Sequence, residues 1–148
     1  MRVYIDGSCI GNPGPGGWSV YADDTGEHYY GRSKETTNNQ MELTAAIEAL
    51  SRIKCDNLEI MTDSNYVLLG ITSWIKSWKT HNWKTAAKKP VLNEGLWRKL
   101  DAAVNDRPVG SIKWTKVAAH SNNAGNDIAD FLAKGVCKLK FEHTCSCE

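Results

Sequence analysis

The chain has 148 residues, 24% charged and 41% hydrophobic, and its 18 Lys and Arg against 17 Asp and Glu leave a net charge of +1. That length and composition fit one globular domain burying roughly two thirds of its unfolded surface. The lack of any apolar run of about 18 residues excludes a spanning helix, and the near-zero charge leaves only the distribution of charge to argue for a nucleic-acid partner.

The first third reads as a β-meander. "RVYIDGSC", "GWSVYADD" and "EHYYGRSK" are strand-length runs rich in Val, Ile and aromatics, separated by Gly, Pro and Asp-Thr-Gly turn signals. The stretch "GNPGPGG" between the first two reads chiefly as a turn. The N-terminus enters the first strand with no basic n-region or apolar h-region, so no signal peptide is expected and cytoplasm is the expected location. "TTNNQMELTAAIEALSRIK" then changes period: Leu43, Ala46, Ile47, Leu50 and Ile53 fall at helical spacing. "NLEIMTD" is a further strand, and "SNYVLLGITSWIKSW" a helix with a break near Gly70. "NEGLWRKLDAAVN" reads as a helix, "GSIKWTKVAAH" as a strand and "NDIADFLAKGVCKLK" as the last helix. Antiparallel strands followed by helix-separated strands predict an α/β fold, one mixed sheet with helices packed on it. Cys9, Cys55, Cys137, Cys145 and Cys147 are odd in number and lack paired spacing, so reduced thiols are expected, and "HTCSC" holds too few ligands for a tetrahedral metal site.

Four acidic positions stand out, each with an ordinary alternative. Asp6 ends an apolar run, but Asp-Gly-Ser is also turn chemistry. At 100° steps Glu42 lies beside Ala46, Ala49 and Ile53 on the apolar arc, with Glu48 and Arg52 opposite. A carboxylate on that face needs a partner or a metal; equally, Asn39 as N-cap with Glu42 three residues on is a capping-box variant. Asp63 follows "LEIM" at a strand's C-terminal edge, where ligand sites gather in sheets with helical crossovers, or it starts the next helix. "AAHSNNAGNDIAD" offers His120, Asp127 and Asp130, and periodicity does not choose between the aspartates, both lying off the stripe of Ile128, Leu132, Val136 and Leu139.

Carboxylates gathered at element ends repel one another unless divalent cations neutralise them, and hard oxygen ligands suit Mg²⁺ or Mn²⁺. Two such ions about 3.5–4 Å apart form the clamp used for in-line displacement at a phosphodiester. "WIKSWKTHNWKTAAKK" carries Lys76, Lys79, Lys84, Lys88 and Lys89 with Trp74, Trp78 and Trp83 threaded between them and no acid. Lysines neutralise phosphates and aromatic faces pack on sugars or bases; the alternative is a solvated lysine face over core tryptophans, at least one of the three being core.

Taken together, "VYIDGSCIGNPGPGGW", "TTNNQMELTAAIEAL", "TDSNYVLLGITSWI", "WKTAAKKPVLNEGLWRKLD", "WTKVAAH" and "DFLAKG", in this order, resemble the bacterial-type ribonuclease H family of type 1. The resemblance implies a five-stranded mixed sheet, three antiparallel strands then two parallel, in a single catalytic domain over 1–140. It implies hydrolysis of the RNA strand of RNA–DNA hybrids to 3′-hydroxyl and 5′-phosphate ends, by a monomer using two Mg²⁺ ions, with Mn²⁺ as substitute. The family's metal-binding carboxylates fall on Asp6, Glu42, Asp63 and Asp130, the last chosen because "ADFLAK" matches the final-helix motif. Asp6 would bridge both ions, Asp130 complete the site of the ion activating water, and Glu42 and Asp63 hold the ion beside the leaving oxygen. His120 matches a loop histidine assigned to proton transfer or product release.

The same resemblance makes residues of about 74–90 a basic protrusion gripping the hybrid through Trp74, Trp78, Lys79, Trp83, Lys84 and Lys88. It lines a substrate groove with Asn12, Thr37, Asn38, Asn39 and Asn65, of which Asn12 and Thr37 would hold a DNA-strand phosphate. Gly7, lacking a side chain, would admit the nucleic-acid backbone to the metals. Asn65 stands where glutamine is common, the loop "HSNNAGND" is less acidic than usual, and the tail 141–148 has no family counterpart. With no hybrid-binding module ahead of this domain, the protrusion is expected to supply most of the extra grip. A non-catalytic hybrid-binding module would be favoured by loss of a carboxylate, and none is lost; "TTNNQMEL" argues against a DNA-cutting relative.

Overall fold

In the computed structural model, residues 1–118 and 124–137 are described. Strands β1 (Arg2–Cys9), β2 (Gly14–Ala22) and β3 (His28–Thr36) pair antiparallel in sequence order, and α1 (Asn38–Arg52) leads to β4 (Leu58–Thr62), parallel beside β1. A helical run follows as α2 (Asn65–Leu69), a wide π-type turn (Gly70–Trp74) and α3 (Ile75–Thr80). Helix α4 (Glu94–Asn105), strand β5 (Ile112–Lys116), parallel beside β4, and α5 (Ala124–Cys137) complete the order, giving a mixed sheet β3-β2-β1-β4-β5.

Two boundaries differ from the sequence expectation. Gly14, Gly16 and Gly17 are not turn: they begin β2, with Gly16 opposite Cys9 and Gly17 opposite Ser8, so the turn shrinks to the residues around Asn12. The break near Gly70 is not an interruption but a widened turn, and the Trp97 ring lies where a Gly70 side chain would go, its Cη2 only 1.9 Å from an added Cβ. A larger residue there would push α4 off the helical run.

Alternation along the strands makes two cores. Val3 and Ile5 of β1, their cross-strand partners Ala22 and Val20, and Trp18 opposite Gly7 join Leu43, Ala46 and Ala49 of α1 and Trp97 and Leu100 of α4 in one core. Tyr4, on the other face, joins Met61, Val117 and Ala129 of α5. Asp6 continues the Tyr4 side of the pleat, and Ser19 opposite it donates to the Ala129 carbonyl at 2.5 Å. The Arg107 guanidinium donates to the carbonyls of Leu50, Ile53 and Cys55 at 2.9, 2.6 and 2.7 Å, closing the C-terminal end of α1. Among the described residues, no helix is long and apolar enough to cross a membrane.

Candidate active site

The capping alternative for Glu42 is resolved by α1 itself. Its N-cap is Thr37, whose hydroxyl accepts from the Gln40 amide at 3.2 Å, so Asn39 does not cap the helix and Glu42 is not a capping residue. Glu42 instead faces the end of β1. The reason α1 comes so close is Gly7. A Cβ there would lie 2.5 Å from the Glu42 nitrogen and 2.8 Å from the Met41 Cβ. This corrects the expectation that Gly7 makes room for nucleic acid: its missing side chain lets helix backbone approach strand backbone.

Asp6 ends the buried part of β1 and Asp63 follows β4, which lies parallel to it, so the register of two neighbouring strands brings both to one edge. One carboxylate oxygen from each of Asp6, Glu42 and Asp63 lies within 4.8 Å of the others. On α5, Asp127 is exposed, whereas the Asp130 side chain hydrogen-bonds Asp6 and pairs with Lys134 at 3.1 Å. Asp6 is only 4% exposed; burial first, then the Asp63 charge, then Asp130, push its carboxyl up to about 8. Burial and the charges of Asp6 and Asp63 likewise hold Glu42 well above the ordinary carboxylate range, against the opposing pull of the Gly7 amide and the Lys116 ammonium.

Glu42 Oε1 is buried with no hydrogen-bond partner. An unpartnered buried oxygen on a carboxylate that clusters with two more fits a hard divalent cation: the ion supplies both a missing partner and the missing charge. Lys116, which sequence reasoning did not single out, sits at this rim, its Nζ donating to the Asp63 carbonyl at 2.6 Å. His120 lies outside the described residues.

Beside the carboxylates, Asn12, Thr37, Asn38, Asn39, Gln40, Leu92 and Asn93 line a recess of about 360 Å³ at the N-terminus of α1. Asn12 adopts φ 28, a left-handed geometry asparagine tolerates, and its Oδ1 accepts from the Asn38 amide at 2.9 Å. The first turn of α1 carries no acid, leaving the positive end of the helix uncompensated. Asn93 is not singled out by the sequence, where it reads only as the start of the helix "NEGLWRKLDAAVN". Its side chain makes no cap; it accepts from Gln40 Nε2 at 3.2 Å and donates to the Tyr66 hydroxyl at 3.1 Å, which also accepts from Trp97 Nε1 at 3.1 Å. Asn65 opens α2 and is exposed.

The protrusion is built on rings. Trp78 lies 6.1 Å from Trp74, 6.2 Å from Trp83 and 5.2 Å from Trp97, centroid to centroid. Trp74 is 37% exposed and Trp78 half-buried, but Trp83 is 8% exposed with the Arg98 guanidinium 4.7 Å over its ring. Trp83 therefore offers no face for stacking, which corrects its place among the substrate contacts: the turn that carries it folds it inward to anchor the protrusion. Lys84 and Lys88 are exposed, whereas Lys79 is held at 3.1 Å by Asp101.

Fold and site together define a mixed-sheet α/β domain with an acidic, cation-adapted cluster at its strand ends. The RNase H family model matches residues 1–138, and the chain belongs to the RNase H family. It is 50% identical over 137 residues to a ribonuclease H of Solibacter usitatus, covering 90% of this chain and 91% of that one. It is likewise 50% identical over 137 residues to a ribonuclease H of Parvibaculum lavamentivorans, covering 90% of this chain and 89% of that one. Among solved structures it matches LC9-RNase H1, described as a type 1 RNase H with the type 2 active-site motif, at TM-score 0.75 and 30% identity over 92% of this chain and 71% of that one. A foamy viral protease-reverse transcriptase in complex with dsDNA shares the fold at TM-score 0.78 and 22% identity, covering 93% of both chains.

Proposed function

We propose that this protein is a ribonuclease H that hydrolyses the RNA strand of RNA–DNA hybrids, leaving 3′-hydroxyl and 5′-phosphate ends. The observation that carries the reading is the convergence of Asp6, Glu42 and Asp63 within 4.8 Å, with Glu42 Oε1 buried and unpartnered, in a chain of the RNase H family. Two Mg²⁺ ions, with Mn²⁺ as substitute, would be held by Asp6, Glu42, Asp63 and Asp130; when bound they neutralise charge on the reacting phosphate and lower the pKa of water. The chain's own part is positional. Strand register and the Gly7 contact bring the backbones of three carboxylate residues to one point, and Asp130 approaches from α5 through Asp6.

The recess at the start of α1 suits a phosphate of the DNA strand, offered by Asn12, Thr37 and a helix N-terminus. Short polar side chains at Asn38, Asn39 and Asn65 suit a wide minor groove, where the 2′-hydroxyl distinguishes RNA from DNA. Trp74, Trp78, Lys84 and Lys88 would hold the hybrid further out, and His120 would serve proton transfer or product release. The enzyme acts as a cytoplasmic monomer, with residues 1–140 as one catalytic domain.

The test is incubation with a labelled RNA–DNA hybrid, single-stranded RNA and both homoduplexes, each with Mg²⁺, Mn²⁺ or chelator. Cleavage confined to the RNA of the hybrid and abolished by chelator is expected. Equal cutting of single-stranded RNA, or cutting in chelator, would overturn the reading.

A further inference from the structure

The cluster holds positive groups as well as its acids: Lys134 pairs with Asp130 at 3.1 Å on the α5 side, and Lys116 stands on the Asp63 side. Lys116 is the last residue of β5, in register with Thr62, the last residue of β4 and the neighbour of Asp63. The Val117 amide donates to the Thr62 carbonyl at 2.8 Å, fixing the two strand ends together. From there the Lys116 ammonium reaches the Asp63 carbonyl at 2.6 Å, and its charge acts on Glu42 against the two neighbouring carboxylates. A lysine so placed has no structural need to be one. It is exposed, and the carbonyl it meets stands at the mouth of the cluster, where water could serve.

We propose that Lys116 is a positioning residue that sets the cluster's affinity for divalent cations: a resident charge competing electrostatically with incoming ions on the Glu42–Asp63 side. The inference rests on the metal-site reading above and adds a rank to it. Ammonium and divalent cation respond to the same carboxylates, so the fixed charge lowers the net attraction for the mobile ones. Asp6, on β1, lies one strand further from Lys116 than Asp63 does, and next to Asp130. Weakened binding on one side would keep the free enzyme from filling completely, leaving part of the cation loading to the moment a substrate phosphate adds its own negative charge.

The test uses the full chain without substrate. Mn²⁺ binding is followed by the loss of the free-ion EPR signal, and Mg²⁺ binding by its competition with Mn²⁺, for wild type, Lys116→Gln, Lys116→Arg and Asp6→Asn. Lys116→Gln is expected to tighten binding roughly two- to tenfold, the range for a unit charge acting on a divalent ion at this separation in partly screened surroundings. The gain should shrink at high salt, and Lys116→Arg, which keeps the charge, should stay near wild type. A purely structural role for the Asp63 carbonyl contact would weaken binding in Lys116→Gln, and no change would remove the electrostatic role; either result overturns the inference while the metal site stands. If wild type itself bound no divalent ion, or Asp6→Asn bound as wild type does, the metal site would be wrong and the inference would fall with it.

Discussion

The carboxylate cluster and the basic protrusion are both concentrations of one sign of charge, yet they are built in opposite ways. Asp6 is buried, Glu42 and Asp63 half-buried, and the backbone places them: strand register sets Asp6 and Asp63, and a helix pressed against Gly7 sets Glu42. Burial, and then the charge of their neighbours, makes Asp6 and Glu42 hold protons far more tightly than ordinary carboxylates. The lysines of the protrusion are exposed and carried on a scaffold of tilted and edge-packed rings, so water screens them. Charges in the first region act as a unit and fail together; charges in the second contribute one at a time.

The sharpest way to break that contrast is at Asp6. Asp6→Asn should lower cleavage of a hybrid by about a thousandfold or more, several kcal/mol of transition-state stabilisation, while hybrid affinity stays within a few-fold. Single-turnover cleavage and equilibrium binding measure the two separately. Cleavage at wild-type rate with Mg²⁺ would sink the two-metal assignment.

Gly7→Ala should come next. The added methyl meets the Glu42 amide nitrogen at 2.5 Å, so α1 must retreat; unfolding free energy should fall by about 3 kcal/mol and cleavage by about a hundredfold through displacement of Glu42. Denaturant melts and turnover on one preparation test this. Intact stability and activity would mean that α1 need not press on β1.

The same burial gives the cluster a pH signature. In metal-free protein Asp6 titrates near 8 instead of 3.8, so between these values the folded state binds more protons than the unfolded one. Stability must then fall as pH rises from about 4 to 8, with Glu42 adding to the trend in the same direction. Thermal melts in chelator should show Tm declining across that window, Mg²⁺ should restore it at the alkaline end, and Asp6→Asn should flatten the slope. A Tm that climbs through this range would contradict the buried-acid picture.

These differences also explain what could be read from the sequence. Strand-length apolar runs and helical periodicity gave the order of elements, because the run of buried residues on β1 is the imprint of burial on both faces and the stripe on α1 of burial on one. Glu42 could be placed on the buried side by angle, but its role against Asn39 could not, since a capping box and a site carboxylate share the spacing; only the Thr37 cap decides. Gly7 was read as space for a ligand because sequence cannot say which backbone will fill the space. Asn93, Lys116 and the pairing of Lys79 with Asp101 all depend on contacts across more than twenty residues, for which local pattern holds no signal. Trp83 looked like its neighbours in a lysine-rich run, and only the reversal of the chain after α3 turns it inward.

The smallest effects belong to single lysines, and there the structure ranks residues the sequence left equal. Lys84→Ala or Lys88→Ala should each weaken hybrid binding roughly threefold at moderate salt and lower the slope of log affinity against log salt by close to one, as expected for loss of one phosphate contact. Lys79 is different. Asp101, its side chain 18% exposed, already neutralises it at 3.1 Å, so binding a phosphate would mean sharing or breaking that pair. Lys79→Ala should change the salt slope by less than half as much, and Asp101→Asn, which frees the ammonium, should steepen it and tighten binding slightly. Salt titrations of the four variants at fixed pH separate the cases. A Lys79→Ala slope equal to that of Lys84→Ala, with Asp101→Asn silent, would show that the pair opens freely on binding and that exposure alone, not local pairing, ranks the lysines of the protrusion.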